Sequence, residues 1–353
     1  MRNFLVLLSC LLLVAGGASA AAAKDMKVGF IYVSPVGDAG WSYAHDQGRL
    51  AVDAMDGVTT SFVEAVPEGP DSERVMINMA RKGFDIIFAT SYGYMDPMLK
   101  VAKQFPKAVF MHCSGYKLAA NMGNYFGRMY QARYLSGMVA GAMTKTDKLG
   151  YVAAFPIPEV IRGINAFALG VQAVNPKAEV RVVWTKTWYD PATEKEAGKS
   201  LLDVNCDVIA QHQDSPGPQE AAQEKGVFSV GYNTDMSAFA PQAHLTAPVW
   251  NWGPFYKATV EKVRAGSWKS ESTWPGLAEG IVDLAPFGAM VPQNVRDQVM
   301  AQKAALKSGQ KHVFAGPLKD QKGAVRVAAG STMSDKDMLG MTWFVSGVIG
   351  TTE

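Results

Sequence analysis

The sequence predicts an α/β protein of two doubly wound parallel-sheet lobes joined by a hinge. Three observations carry this expectation. Short apolar runs rich in β-branched and aromatic residues recur along the chain, beginning with residues 27–33 (KVGFIYV). Such runs suit strands buried on both faces. Between them lie stretches bounded by helix caps and breakers, so strand alternates with helix. The rhythm then restarts at Lys148, which makes two series and hence two sheets.

The elements follow in order. After the first strand comes a loop with Pro35, Gly37 and Gly40, then a helix over 42–55 and a weaker strand over 61–66. Asp71 is expected to cap a helix reaching residue 82, with Gly83 just past its end. Residues 85–89 (DIIFA) form the next strand. Asp96-Pro97 opens a helix, with Asp as cap and Pro in the first position. Residues 108–113 are a strand, and a helix over 130–143 leads to the second series. There, strands at 148–153, 179–184, 208–211 and 227–230 alternate with helices at 158–174, 191–202 and 218–225. A helix over 252–264 crosses back to the first lobe. The expected domains are therefore 24–147 with a returning segment at 249–270, and 148–248 with 271–353.

The first residues read as an export signal. Arg2 precedes an apolar run over 4–14, and Ala18-Ser19-Ala20 gives a small-residue cleavage pattern after Ala20 or Ala23. The run is too short for a permanent membrane span, so residues 1–23 are expected to be removed and the mature chain to work in the periplasm. Cys10 sits too early to be a lipidation site. With 34 basic against 32 acidic residues and no basic run interleaved with aromatics, no nucleic-acid surface is expected. Cys113 and Cys206 have the spacing of neither a disulfide framework nor a metal site, and two separate buried thiols are expected. The five histidines are scattered, so no metal or cofactor is expected.

In open α/β sheets, ligands sit beyond the carboxyl ends of the strands. Residues just after the strands here are 34–41, 90–96, 155–157, 188–190, 212–215, 232–235 and 250–252, a set rich in Trp and Tyr with carboxylates and amides. Aromatic faces would stack on a flat ligand while polar groups read its edge. His45 and Asp46 are expected to form a polar helix face. No G-x-S-x-G, phosphate loop, Cys–His pairing or clustered metal ligands stand in the sequence, and Gly37-Asp38-Ala39-Gly40 lacks the dinucleotide fingerprint. The expected role is binding without catalysis.

Several runs resemble the basic membrane protein family, the PnrA-like substrate-binding proteins of ABC transporters. They are Gln131-Ala132-Arg133-Tyr134-Leu135-Ser136-Gly137 through Met143-Thr144-Lys145-Thr146, then Lys148-Leu149-Gly150-Tyr151-Val152. Ile161-Arg162, Trp188-Tyr189-Asp190-Pro191 and Leu339-Gly340-Met341 fit as well. The resemblance implies the type I periplasmic binding fold and a purine nucleoside or related ligand sandwiched between two aromatics. Trp41 would be the first, in Asp38-Ala39-Gly40-Trp41, and Trp188 the second. Asp96 would bind the base edge. Where the family carries an acid and a lysine for the ribose, this chain matches Asn233 and Trp250. An indole there removes polar partners for a sugar and favours a free nucleobase such as adenine. Asn233, Asp235 and Trp250 would close the far end, with Tyr92, Tyr94 and Gln213 as further contacts. A monomer partnered by ABC permease subunits is the expected setting. An exported purine-nucleoside hydrolase and a sensor for a membrane receptor are the alternatives.

Overall fold

The computed structural model describes residues 25–352; the leader, its cleavage positions and Cys10 lie outside them. The first lobe opens with strand β1 (Met26–Ile31), helix α1 (Gly40–Asp53), β2 (Val58–Val63), α2 (Pro70–Arg81) and β3 (Ile86–Ala89). After a 3-10 turn at Tyr92–Tyr94 come α3 (Met95–Gln104), β4 (Val109–Cys113) and β5 (Met122–Tyr125). The second lobe begins with α4 (Met129–Met143), β6 (Lys148–Ala153), α5 (Pro158–Val174), β7 (Glu179–Trp184) and α6 (Pro191–Asp203). It continues with β8 (Val208–His212), α7 (Gly217–Lys225), β9 (Phe228–Val230), β10 (His244–Thr246) and β11 (Pro248–Trp250). The chain then returns to the first lobe for α8 (Gly253–Arg264) and β12 (Ser272–Thr273). It ends in the second with β13 (Val282–Leu284), α9 (Gln293–Lys307), the pair β14 (Leu318–Lys319) and β15 (Val325–Val327), α10 (Asp335–Leu339) and β16 (Val348–Ile349).

Each lobe is built on a six-stranded sheet, in the order β12-β5-β4-β3-β1-β2 in the first and β10-β9-β8-β6-β7-β16 in the second. Every pairing within both sheets is parallel. The alternation of side chains along a strand fixes what each face buries. In the first lobe Val28, Phe30 and Phe88 pack with Val52 of α1 and Tyr256 of α8. Ile31, Ile87 and Phe110 face the other way, onto Met79 of α2 and Met98 of α3. In the second lobe Val152 and Ile209 meet α6 and α7 through Leu201 and Ala222. Tyr151 and Ala210 meet α4 and α5 through Leu135 and Phe167.

The helix over 129–143, assigned from sequence to the first lobe, packs instead against α5 of the second. The reason lies in its small residues. A Cβ added at Gly137 would stand 2.1 Å from the Phe167 carbonyl oxygen, and one at Gly170 would stand 1.9 Å from that of Tyr134. The two backbones touch where these glycines face them, and larger residues there would drive the helices apart.

The chain crosses between lobes after β5, at β11 to α8, and after β12, and these connections lie side by side. Phe126 donates to Thr273, Arg128 to Pro275 and Asn251 to Ile281 through backbone amides. Gly127 sits in the same bundle, where a Cβ would lie 2.4 Å from the Trp250 ring. This is a three-segment hinge.

Two expected caps differ from the structure. The cap residue of α2 is Gly69, and Asp71 lies in the first turn with its carboxylate 2.6 Å from Arg74. Asp96 caps nothing, because the 3-10 turn runs directly into α3. Asp190 does cap α6, accepting from the Thr193 amide. Both Cys113 and Cys206 are buried free thiols.

Candidate functional site

A small cavity lies between the carboxyl ends of the two sheets. The first lobe lines it with Val33, Trp41, Thr90, Ser91, Tyr92 and Ser114, and the second with Glu159, Trp188, His212, Asp214 and Tyr232. The fold dictates this meeting, since β1, β3, β4, β7, β8 and β9 all end here.

Trp41 occupies the first turn of α1 and donates its indole N–H to the Thr90 carbonyl at 2.5 Å. Trp250, Trp252 and His45 support its ring edge-on, with centroids at 5.7, 6.1 and 4.3 Å. Trp188 stands between β7 and α6 and packs against Phe155 at 5.0 Å. Each lobe thus brings one braced indole to the cavity. The lobes also touch directly. The Gly40 amide donates to Thr234 Oγ1 at 3.3 Å, and Ser114 of the first lobe and Glu159 of the second line the same cavity. Gly40 has φ +92°, and a Cβ there would lie 2.1 Å from the Asp214 carbonyl oxygen. Glycine is therefore required twice over, for its backbone angle and for the close approach.

The polar lining is held close to neutral. Burial pushes the Glu159 carboxyl up to about 7, against the pull of Arg162 and Arg133. Burial, then Arg133 and Arg162, push His212 well below its ordinary range, so its imidazole is neutral. Burial and Glu194 raise Asp214, opposed by a hydrogen bond from Asn233. Behind this edge Arg133 is fully buried, with Nη1 donating to the Gln211 carbonyl at 2.6 Å and its guanidinium 3.6 Å from the Tyr232 ring centroid. Aromatic walls with a short polar edge can stack on a thin ring and hydrogen-bond its rim.

The structure brings together only part of the set expected from sequence. Trp41, Trp188 and Tyr92 line the cavity. Asp96 does not; its carboxylate is 65% exposed and paired with Lys117 at 2.6 Å. Asn233 and Trp250 form a buried support, with the indole N–H donating to Asn233 Oδ1 at 3.0 Å. Asp235 is largely exposed, 3.7 Å from His244. Tyr94 belongs to the first-lobe core, and its hydroxyl donates to the Val66 carbonyl. Gln213 is buried against the Thr185 hydroxyl. His45 and Asp46 form no polar face: His45 is buried and stacked on Trp252 at 4.8 Å, and Asp46 binds Tyr32 and Arg49.

Residues the expected set lacked include Glu159, Ser114, His212, Asp214 and Tyr232. The last three stand at or just after the ends of β8 and β9, so their position in the fold was a usable signal. Glu159 looks from sequence like an ordinary first-turn acid, stabilised by the helix dipole. Nothing in the local pattern says that α5 points its start into the cleft.

Comparison with known proteins now places the chain. Residues 25–321 match the model of the family described as ABC transporter substrate-binding protein PnrA-like. A purine-binding protein of Brucella abortus (strain 2308) is 45% identical over 334 residues, covering 94% of this chain and 95% of that protein. A Haloferax volcanii protein, provisionally named as an ABC transporter glucose-binding protein, is 44% identical over 301 residues, covering 85% and 77%. Among solved structures, a solute-binding protein of an ABC transporter system from Aeropyrum pernix K1 has a TM-score of 0.73 at 18% identity, covering 88% of this chain and 95% of that one. At that identity the likeness speaks to the fold alone. With the family model spanning most of the chain, the protein belongs to the PnrA-like family of ABC transporter substrate-binding proteins.

Proposed function

We propose that the protein is a periplasmic, monomeric receptor that binds a purine without chemically altering it and delivers it to an ABC importer, taking the free base, such as adenine, in preference to the nucleoside. The observation that carries this reading is the pair Trp41 and Trp188, contributed by different lobes to one small cavity. Stacking on an aromatic is worth about 1–3 kcal/mol per base, and a ligand held from both lobes stabilises the closed form through its greater affinity for it. The Brucella relative's name, a purine-binding protein, supports the ligand class.

Preference for the base follows from what surrounds Trp41. Trp250 and Trp252 stack on each other at 4.6 Å behind it, and the Trp250 N–H is already committed to Asn233. Of these two rings Trp252 keeps an uncommitted N–H, but it is buried outside the cavity lining, so the wall brings little polar contact to a ribose, and sugar hydroxyls buried without partners cost affinity. Calorimetry should find adenine bound at least roughly tenfold more tightly than adenosine, a difference near 1.4 kcal/mol. Tighter binding of adenosine rejects the base preference.

A further inference from the structure

The lining holds two acids whose situations differ. Asp214 Oδ1 is engaged by the Asn233 side-chain amide at 3.2 Å. Glu159, at the start of α5, has its side chain only 15% exposed, and its Oε1 lies 3.7 Å from His212 Nε2, beyond hydrogen-bond reach. Its carboxyl is therefore turned into the cavity with acceptor capacity to spare beside the Ser114 hydroxyl.

Resting on the purine reading, we propose that Glu159 determines which purine is bound, by matching its protonation state to the hydrogen-bonding edge of the base. A neutral carboxyl offers one donor and one acceptor. That pattern complements an edge with one acceptor and one donor, as in a 6-aminopurine such as adenine or a 6-oxopurine such as hypoxanthine. A carboxylate offers acceptors only, and complements the two adjacent donors of a 2-amino-6-oxopurine such as guanine.

Several groups face this carboxyl. Arg162 lies on its own helix and Arg133 on α4, and both favour the charged form; burial favours the neutral one. His212 and Asp214 approach from the end of β8, Tyr232 from just after β9, and Tyr92, Ser114 and the Cys113 thiol from the first lobe. His212 is neutral and so does not fix the charge of Glu159. The balance leaves both protonation states accessible near pH 7.

Calorimetry with adenine and guanine from pH 5.5 to 8.0 tests the assignment. The ratio of guanine to adenine affinity should rise at least roughly tenfold across that range, following the carboxylate fraction of a group titrating near neutrality. In Glu159→Gln the amide presents one donor and one acceptor at every pH, so adenine binding should persist, guanine binding should fall about tenfold or more, and the trend should flatten. At pH 7 in wild-type protein, buffers of different ionisation enthalpy should show proton uptake with adenine and release with guanine. A constant ratio in wild type, a trend that survives in Glu159→Gln, or proton exchange of the same sign for both bases overturns the assignment while purine binding stands. Failure of every purine to bind removes the purine reading itself, and this assignment with it.

Discussion

Replacing Trp188 by alanine should weaken adenine binding by roughly 5- to 150-fold, the equivalent of about 1–3 kcal/mol of stacking. Trp188 is the cleaner of the two sandwich residues to remove. Its ring neighbours in the second lobe are Phe155 and, more distantly, His212, so its loss should leave the fold largely intact. Trp41→Ala should cost at least as much, because that indole also meets Trp250, Trp252 and His45 and ties α1 to the Thr90 carbonyl. Some of its effect will therefore appear as lost stability, and a melting curve is needed beside the titration. Asp96→Ala supplies the contrast. Its exposed carboxylate pairs with Lys117 at the surface, and solvent-screened pairs of this kind contribute little. Binding should change less than about twofold. Titration of the three variants with adenine reads all of this directly. A Trp188→Ala protein of unchanged affinity, or an Asp96→Ala protein as impaired as the tryptophan variants, would contradict the site.

Acid should destabilise the protein through its buried histidines. His45, His112, His212 and His244 are all buried. Burial lowers His112 and His244 to about 4 and holds His45 and His212 well below the ordinary histidine range. Each ring is held by packing and hydrogen bonds suited to the neutral form: His112 Nε2 lies 2.8 Å from the Ser91 carbonyl, and His244 Nδ1 lies 2.8 Å from Gln219 Oε1. An unfolded histidine gains a proton near pH 6.5, whereas these do not. The stability they contribute is thus complete above pH 6.5 and is lost as pH falls toward 4. Each unfolded-state proton costs about 1.4 kcal/mol per pH unit, so four approach about 5 kcal/mol per unit. Total stabilities are of order 5–15 kcal/mol, so the histidines alone exert a sizeable pull against the fold in acid. Glu159, Asp214 and Glu194 act in the opposite direction: burial raises all three, so the stability of their neutral forms is gained as pH falls and offsets part of the histidine loss. Urea midpoints measured from pH 8 to pH 4 should fall below 6.5, less steeply than four histidines alone would give. Midpoints that stay level to pH 4 would contradict a net histidine contribution.

The repeating strands and helices were legible because burial on both faces leaves a continuous apolar signature. Pro158–Val174 and Glu179–Trp184 stand where the pattern put them. Strand β5, Met122–Tyr125, was not legible: MGNY has no β-branched residue, and it becomes a strand because β4 and β12 flank it. Nor could short late strands such as β12 and β16 be read, since each is two residues long and completes a sheet begun far upstream. At the site, the tryptophans stood out because a large ring after a glycine-bearing loop has few other places to go. Asp96 was misplaced because an acid beside a proline at a helix start reads as a cap, whereas the 3-10 turn of Tyr92–Tyr94 carries it to the surface. Asn233 and Trp250 show the same limit at longer range: their mutual hydrogen bond pairs a loop with a hinge strand, and no local pattern signals it.

The account turns on two indoles from separate lobes closing over one thin heterocycle. Protein purified without added ligand, denatured and analysed by mass spectrometry for released small molecules, tests this most directly. The result expected is a free purine base in up to equimolar amount. Release of a hexose or another non-aromatic solute in that amount, with no purine detected, would contradict it.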